Sequence, residues 1–319
     1  MTDDLLSALE ADILAQPELL SATLDLSGWD PGESYDRIIF TGCGDSYHAA
    51  IAAAHVANGQ AIEPHDILCN PAHLESGRVL LVAISNSGKV RTTFRAAALA
   101  RERGARVVAV TSRTDSPLAS ASDMVARLPK RASDRPLPGM SSYLTSMLAA
   151  MMPFLRECDL EAAPDLVTTS LDTSMPSLVP GPCCLVGALQ NRATALYSAA
   201  KLAEVMGDVA LACHTEEFCH VELFLMDKTR PIVLFPSTSD DKITNVHTAL
   251  RQRGFNSTMI GCGPECEVCL PTTPDELLPL VNCVPVQRAV LELAKERGIS
   301  SWNFFKDEER LSISDDLIY

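Results

Sequence analysis

With 319 residues, 47% of them hydrophobic, the chain is long enough for two domains with substantial cores and too apolar to be disordered. Its formal net charge of −15 argues against nucleic acid or an anionic membrane surface as a partner, since either would need a basic face. The sequence has no apolar run long enough to span a bilayer, and the acidic start Met1-Thr2-Asp3-Asp4 is unlike a signal peptide. These features predict a cytoplasmic protein.

Helices are predicted over residues 3–25, with a break at Pro17, because apolar residues recur there at helical spacing. From residue 35 to 158, β-branched apolar runs alternate with helical patterns. The predicted strands are 36–41, 78–85, 106–111 and 124–128, and the predicted helices are 46–58, 89–103 and 141–157. Such alternation is typical of a parallel sheet that helices cover on both faces.

The proline-containing stretch 159–182 is predicted to be a linker, after which the pattern restarts. Strands are predicted at 183–187, 209–213, 231–235 and 258–260, and helices at 192–206, 239–253 and 275–297, the last with breaks at Pro279 and Pro285. The sequence therefore predicts a helical segment 1–34, a first α/β domain at 35–158 and a second at 183–319. The end of the second, from Asp307 to Tyr319, is acidic and is predicted to be a solvated extension.

Eleven cysteines, an odd number, predict free thiols in an intracellular chain of this size. Cys262, Cys266 and Cys269, with Cys283 downstream, have spacings that a structural zinc site could use. The alternative is that they are small buried hydrophobic residues beside the Gly263-Pro264 turn. Because neither a second Cys-x2-Cys pair nor a spaced histidine pair accompanies them, we predict no metal and no other cofactor.

Two loops that contain glycine and serine follow successive strands of the first predicted domain. Thr41-Gly42-Cys43-Gly44-Asp45-Ser46 follows residues 37–40, and Ser85-Asn86-Ser87-Gly88-Lys89 follows residues 79–84. A strand, a tight turn and a helix N-terminus together form an anion site, because free N–H groups and hydroxyls point at the ligand. One such loop could be an ordinary helix cap. Two of them favour a ligand site at the carboxyl ends of the strands.

The two loops resemble the phosphate-binding signature of the sugar isomerase (SIS) domain family, which is Cys-Gly-x-Ser followed by Ser-x-Ser-Gly. Nearly the whole chain resembles the isomerase half of glucosamine-6-phosphate synthase, without its glutaminase domain. This resemblance implies an α/β fold of two consecutive SIS domains, each a doubly wound parallel sheet sandwiched by helices. It also implies a phosphosugar aldose–ketose isomerase that acts through ring opening and an enediol.

The resemblance extends to the chemistry of the second half. Residues 199–204 and 216–220 stand where the synthase has Ala-Leu-Lys-Leu-Lys-Glu and Gly-Glu-Leu-Lys-His, with the same distance between the glutamate and the histidine. By resemblance, Glu204 is the base that moves a proton between C1 and C2, and Lys201 lies on the same helix face. Read without the family, Lys201 and Glu204 would be a solvated surface pair.

By resemblance, His220 opens the sugar ring and reaches in from a neighbouring subunit, which implies a homodimer with shared active sites. Glu217 lies in the same segment and is expected to contact the substrate. Lys306, in Trp302-Asn303-Phe304-Phe305-Lys306, stands where the family has a lysine that closes over the substrate.

Substrate contacts in the first domain are implied for three short segments. They are Cys43, Gly44, Asp45 and Ser46, then Ser85, Asn86, Ser87 and Lys89, and finally Ser141 and Ser142. Asp45 replaces a threonine of the family, and Lys89 replaces a glutamate. Three interpretations follow: Lys89 or Arg91 offsets Asp45 around a phosphate, the anion is a smaller group such as a sulfonate, or Asp45 binds hydroxyls of an unphosphorylated sugar.

Other functions remain open on the sequence. The chain could be a hexosamine-phosphate deaminase, an isomerase of a sulfonated or unphosphorylated sugar, or a non-catalytic regulator that binds a sugar phosphate. Family regulators carry a helix-turn-helix module before the SIS domain, and the N-terminal segment here is too short and too acidic for one. Retention of Glu204 and His220 favours an enzyme.

Overall fold

The computed structural model describes residues 2–32, 34–75, 77–131, 136–155, 157–173 and 182–319, with the side chains of residues 2–4 left out. The helices in chain order are α1 Thr2–Leu14, α2 Gln16–Leu26, α3 Asp45–Val56, α4 Pro64–Cys69, α5 Arg91–Glu102, α6 Pro117–Ser120, α7 Ser141–Met151, α8 Ala163–Leu171, α9 Asn191–Met206, α10 Thr215–His220, α11 Asp241–Gln252, α12 Leu278–Glu296 and α13 Glu308–Ile318. The strands are β1 Arg37–Thr41, β2 Gln60–Ala61, β3 Val79–Ile84, β4 Arg106–Thr111, β5 Met124–Arg127, β6 Cys183–Gly187, β7 Ala210–Cys213, β8 Ile232–Phe235, β9 Ser257–Gly261 and β10 Val268–Cys269.

The chain divides into two compact units, each built around one five-stranded sheet. The first-sheet unit consists of Ala15–Asp134, Ser141–Ala162 and Glu309–Tyr319, and the second-sheet unit consists of Met1–Leu14, Arg135–Met140 and Ala163–Glu308. Helix α1 therefore groups with the second sheet, whereas α2 groups with the first.

In the first-sheet unit the strand order is β2-β1-β3-β4-β5, and every pairing is parallel. All six residues of β3 are buried, because a central strand of a sheet covered on both faces has no solvent side. On one face Ile39, Leu81 and Val107 join a core that includes Ala96 and Ala100 of α5. The small alanine side chains let α5 lie close to the sheet, which places its N-terminus beside the end of β3.

In the second-sheet unit the order is β10-β9-β8-β6-β7, again with parallel pairings. Val186, Leu234 and Met259 from three strands form one core with Phe218 and Ile243 from the covering helices. On the same sheet, α9 packs against α12. The two orders confirm the predicted fold class, two doubly wound parallel sheets of α/β type.

The predicted strands and helices are found within a few residues of their expected bounds, including the break between α1 and α2 at Pro17. One expectation is wrong: Pro285 does not break its helix, because α12 continues through it from Leu278 to Glu296. Pro279 lies in the first turn of α12, where proline is tolerated. Most of α12 is buried, and this packing outweighs the hydrogen bond that Pro285 removes.

The expectation that no apolar run is long enough to span a bilayer is wrong by length and composition alone: within the described residues, the stretch 275–296 is long and apolar enough to cross a membrane. Its most apolar window is 83% buried inside the protein, as is typical of a core helix.

Several features of the chain were not predicted from the sequence, among them the short helices α4, α6 and α10. The predicted linker 159–182 contains α8, and its residues 174–181 lie outside the described part of the chain. The acidic tail is solvated as expected but forms helix α13. The two-residue edge strands β2 and β10 are too short to leave a pattern.

We predict that Tyr197→Phe lowers the free energy of unfolding of the second-sheet unit by about 1–3 kcal/mol, the usual effect of deleting a buried hydrogen-bonding hydroxyl. Tyr197 is fully buried on α9, and its hydroxyl donates to the Gly139 carbonyl and accepts from Gln287 Nε2 of α12, each at 2.9 Å. Urea unfolding followed by circular dichroism measures the change. The control Tyr319→Phe removes a hydroxyl from a side chain that is 56% exposed and should have no effect. Equal midpoints for the two variants would contradict the role assigned to this bridge.

Candidate active site

The first loop joins β1 to α3 through a turn that needs glycine. A Cβ on Gly42 would lie 2.8 Å from Ser46 Cβ and 2.9 Å from the Ile84 carbonyl oxygen, so no side chain fits between β1, β3 and α3. Gly44 precedes α3 with φ of +55°, which favours glycine. Cys43 and Gly44 are exposed, and Asp45 and Ser46 are half-buried, so a ligand can reach this turn.

The second loop is fixed by its own serines. Ser85 Oγ accepts a hydrogen bond from the Gly88 amide at 3.1 Å, and Ser87 Oγ accepts one from the Lys89 amide at 3.3 Å. Gly88 has φ of +65°, and a Cβ there would lie 2.1 Å from Ser116 Oγ. Asn86 and Ser87 are half-buried, and Lys89 is exposed, at the point where the chain turns toward α5.

The structure brings the two loops together at the N-terminus of α5. Cys43 Sγ of the first loop lies 3.6 Å from Thr92 Oγ1 and 3.6 Å from Thr93 Oγ1 in the first turn of α5. Because α3 and α5 are each 12 residues long, both N-termini add partial positive charge to this region. The arrangement can hold an anion between donor groups of both loops.

Asp45 has a neighbour that the sequence analysis missed. Its Oδ1 lies 3.8 Å from His48 Nδ1, one turn further along α3. The signal was available, since a histidine three residues after an aspartate on a helix lies on the same face. Arg91, one of the residues expected to offset Asp45, donates from Nη1 to the Asp316 carbonyl of α13 at 3.4 Å.

In the second-sheet unit, Lys201 and Glu204 form a close pair on α9. Lys201 has no exposed surface, and its Nζ donates to Glu204 Oε2 at 2.5 Å. The Glu204 side chain is 34% exposed, so its carboxylate can be reached from outside. Lys201 Nζ also lies 5.1 Å from the centre of the Tyr197 ring, a distance at which the ring face attracts a cation.

The ends of α9 are tightly fixed. At the start, a Cβ on Gly187 would lie 2.4 Å from the Asn191 carbonyl oxygen, so β6 turns directly into the helix. At the end, Gly207 is left-handed with φ of +80°, and Asn303 packs so closely on it that a Cβ would meet Asn303 Oδ1 at 2.7 Å. The segment containing Lys306 therefore lies against the end of α9. Lys306 itself is exposed.

His220 ends the short helix α10 and is 66% exposed. Its Nε2 lies 2.9 Å from Glu216 Oε1 on the same helix. Hydrogen bonds from Lys242 and His220 hold the pKa of Glu216 below its usual range. Glu217 is exposed. Three exposed apolar side chains follow His220: Val221 at 48%, Phe224 at 81% and Leu225 at 53%.

Ser141 and Ser142 begin α7 in the first-sheet unit. Ser141 is buried, and the Ser142 carbonyl accepts from Thr145 Oγ1 at 3.3 Å. The first-sheet unit thus holds the two loops and this serine pair, and the second-sheet unit holds Lys201, Glu204, His220 and Lys306.

The eleven cysteines are free thiols, and two of them, Cys184 and Cys213, form a buried hydrogen bond with 3.2 Å between their sulfur atoms. Burial raises the pKa of Cys183 and of Cys266 to about 12. Cys262 Sγ donates to the Pro271 carbonyl at 3.0 Å. Among the residues that the structure describes, no group of three or more His, Cys, Asp or Glu side chains is placed to hold a metal ion.

These features define a class: an α/β protein that presents glycine- and serine-containing loops at the carboxyl ends of parallel strands. Residues 33–156 match the family model described as SIS domain. The resemblance found in the sequence analysis is confirmed.

The chain is 25% identical over 335 aligned residues to glutamine–fructose-6-phosphate aminotransferase (isomerizing) of Pyrobaculum aerophilum. The alignment covers 90% of this chain and 54% of that relative. The chain thus spans about half the length of the curated relatives it matches. Two solved structures share its fold. Glucosamine-6-phosphate deaminase of Thermotoga maritima has a TM-score of 0.75 and 18% identity, and the match covers 92% of this chain and 96% of that one. Tagatose-6-phosphate ketose/aldose isomerase of Escherichia coli has a TM-score of 0.74 and 19% identity, and the match covers 91% of this chain and 94% of that one.

We predict that Gly88→Ala destabilises the first-sheet unit by about 1–3 kcal/mol more than Gly104→Ala, because overpacking adds to backbone strain only at position 88. Both glycines have positive φ, but a Cβ on Gly104 meets nothing within 4 Å. Urea unfolding of the two variants gives the difference. If both variants unfold at the same urea concentration, the close contact between Gly88 and Ser116 does not constrain the loop.

Proposed function

We propose that the chain is a cytoplasmic phosphosugar aldose–ketose isomerase that acts through ring opening and an enediol intermediate. The observation that supports this most is the burial of Lys201 against Glu204. If the two residues were an ordinary ion pair on the helix surface, both side chains would lie in water, and the pair would contribute little to stability. Here the ammonium is inside the protein, and the carboxylate it holds is partly exposed. That arrangement suits a carboxylate that must meet a ligand in a fixed orientation.

The matched proteins support a 6-phosphorylated sugar as the substrate class. The names of the relative and of the two proteins with solved structures each contain a sugar 6-phosphate: fructose 6-phosphate, glucosamine 6-phosphate or tagatose 6-phosphate. In this chain the phosphate would bind at the two loops, where Ser46, Ser85 and Ser87 lie beside the N-termini of α3 and α5. Backbone N–H groups and hydroxyls there can hold a dianion without a metal.

The proposed chemistry assigns one task to each residue. Glu204 removes a proton from one carbon, C1 or C2, and returns it to the other carbon. The enediol is the intermediate between the aldose and the ketose. Lys201 is a positioning residue, because its bond to Oε2 fixes the carboxylate on the face of α9. His220 exchanges the proton that opens the ring, and Lys306 closes over the bound sugar.

The surface around His220 supports a homodimer with shared sites. His220 is mostly exposed in a single chain, and Val221, Phe224 and Leu225 next to it form an exposed apolar patch. Such a patch is typical of a surface that another protein covers. A second copy that covers it would carry His220 of one chain to the site of the other.

A hexosamine-phosphate deaminase is the second candidate, because the same base would move the same proton before ammonia leaves. Product analysis separates the two: fructose 6-phosphate is tested for aldose formation, and glucosamine 6-phosphate is tested for ammonia release. Sulfonated and unphosphorylated analogues test the other interpretations of Asp45. A regulator would bind one of these compounds without converting any.

We predict that Glu204→Gln keeps the binding of the phosphosugar within about threefold but lowers its conversion by at least about a hundredfold, since general-base catalysis contributes on that scale. The amide keeps an oxygen for Lys201 Nζ but cannot take a proton. Calorimetry measures binding, and NMR of the sugar measures conversion. The control is Glu292→Gln on α12, where the carboxylate is 53% exposed and pairs with Lys295. Conversion at the wild-type rate by Glu204→Gln would remove this residue from the mechanism.

We also predict that mixing inactive Glu204→Gln and His220→Asn chains restores activity. If subunits reassort at random and each site takes one residue from each chain, about a quarter of the wild-type activity should return. Activity is assayed after co-refolding equal amounts, with each variant refolded alone as control. A mixture no more active than its components, or a fully active monomer by light scattering, would contradict the shared site.

A further inference from the structure

A cavity lies beside the second loop, within the first-sheet unit. The cavity has a volume of about 600 Å³ and opens at the carboxyl ends of three adjacent strands. We call it the basic cavity. Its lining follows β3, β4 and β5 in turn: Asn86 and Ser87, then residues 112–115, then Arg127, Lys130 and Arg131.

The basic cavity has the opposite charge to the protein around it. Its lining includes four cationic side chains, those of Arg113, Arg127, Lys130 and Arg131, and one carboxylate, that of Asp115. The formal charge of the lining is therefore +3, in a chain of net charge −15. Cations gathered in a concave site repel one another, and a bound anion relieves this repulsion.

Asp115, already counted in this charge, is paired with Arg113. Arg113 binds it through two bonds, Nε to Oδ1 at 3.1 Å and Nη2 to Oδ2 at 3.2 Å. That guanidinium holds the pKa of the Asp115 carboxyl below its usual range, so the carboxylate stays ionised and engaged with Arg113. Arg127 and Lys130, by contrast, are exposed at the end of β5.

The basic cavity lies on the other side of β3 from the first loop. In the sheet order, β1 and β4 flank β3 on opposite sides. The first loop, after β1, meets the N-terminus of α5 through Cys43, whereas the basic cavity is bounded by the ends of β4 and β5. Asn86 is held on the cavity side, because Ser112 Oγ donates to its carbonyl at 2.9 Å. The lining of the cavity includes none of residues 43–46.

We propose that the basic cavity binds a small molecule carrying a phosphate or pyrophosphate group, in addition to the anion held at the two loops. Arginine and lysine side chains recognise such oxyanions through short charge-assisted hydrogen bonds. The hydroxyl of Thr114 adds a donor to the same space. The volume lies in the range of pockets that take a whole small molecule, so the ligand is larger than inorganic phosphate.

Pyrophosphate is the probe for this site, titrated by calorimetry into the full chain. The double variant Arg127→Ala/Lys130→Ala should weaken its binding by at least about tenfold, as expected when charge-assisted hydrogen bonds are lost. The control Arg95→Ala/Arg106→Ala removes two exposed arginines of the same unit that lie outside the cavity. It changes net charge equally and should shift the dissociation constant by no more than about twofold.

Two sources of the phosphate group are distinguished by further titrations. If pyrophosphate binds equally well with saturating fructose 6-phosphate present, the ligand is a separate molecule. If fructose 1,6-bisphosphate binds more tightly than fructose 6-phosphate, and the double variant loses that advantage, the group belongs to the substrate. Both outcomes support the proposal.

The proposal is overturned if the wild-type protein does not bind pyrophosphate and also binds fructose 1,6-bisphosphate no more tightly than fructose 6-phosphate. It is overturned as well if the double variant and its control bind these probes equally well. It is also overturned if fructose 6-phosphate displaces pyrophosphate one for one while fructose 1,6-bisphosphate binds no more tightly than fructose 6-phosphate, since both probes then share the loops. A protein that binds pyrophosphate through Arg127 and Lys130 but ignores fructose 6-phosphate would retain the basic cavity and contradict only the proposed isomerase.

Discussion

The pairing of the buried Lys201 ammonium with the Glu204 carboxylate is a strong constraint on the second-sheet unit. Burying an ammonium without a partner is strongly unfavourable, by several kcal/mol. Lys201 has no exposed surface, and its charge is met by Glu204 at 2.5 Å and by the Tyr197 ring. Because the pair is three residues apart on α9, the register of that helix fixes where the carboxylate points.

The same requirement explains why the neighbouring parts are so tightly fixed. Tyr197 is bridged to α12 through Gln287, and Gly207 at the end of α9 is covered by Asn303. A shift of α9 would break these contacts together. Stability and the proposed chemistry therefore depend on the same helix, and substitutions at Lys201 should affect both.

In the first-sheet unit the constraint is topological. In a parallel sheet the carboxyl ends of all strands lie along one edge, so the loops after β1, β3, β4 and β5 become neighbours. The loop after β3 is central: one side of it faces the first loop, and the other faces the basic cavity. The strand order thus places the two proposed anion sites on either side of β3.

The fold was predictable because buried parallel strands are continuous apolar runs, as in Val79–Ile84, and because glycines mark the turns. Pro285 was misread because its effect depends on packing around α12, which local sequence does not report. The burial of Lys201 could not be predicted from the sequence, because a lysine on a helix is usually exposed. Only the family resemblance pointed to Lys201 as a site residue. The basic cavity was not predicted because its cations are spread over residues 113–131, and a chain with a net charge of −15 gives no overall sign of a local basic region. A count of cations just after the predicted strand ends would have indicated it.

Solvent exchange on the wild-type protein shows whether Glu204 moves a proton of a bound phosphosugar. Fructose 6-phosphate and related hexose 6-phosphates are incubated with the protein in D2O, and deuterium at C1 and C2 is followed by NMR. At least one of these sugars should gain deuterium at C1 or C2, because an enediol exchanges its proton with the base. Binding of a hexose 6-phosphate with no deuterium incorporated in any of the sugars would contradict this prediction and would identify the chain as a binding protein.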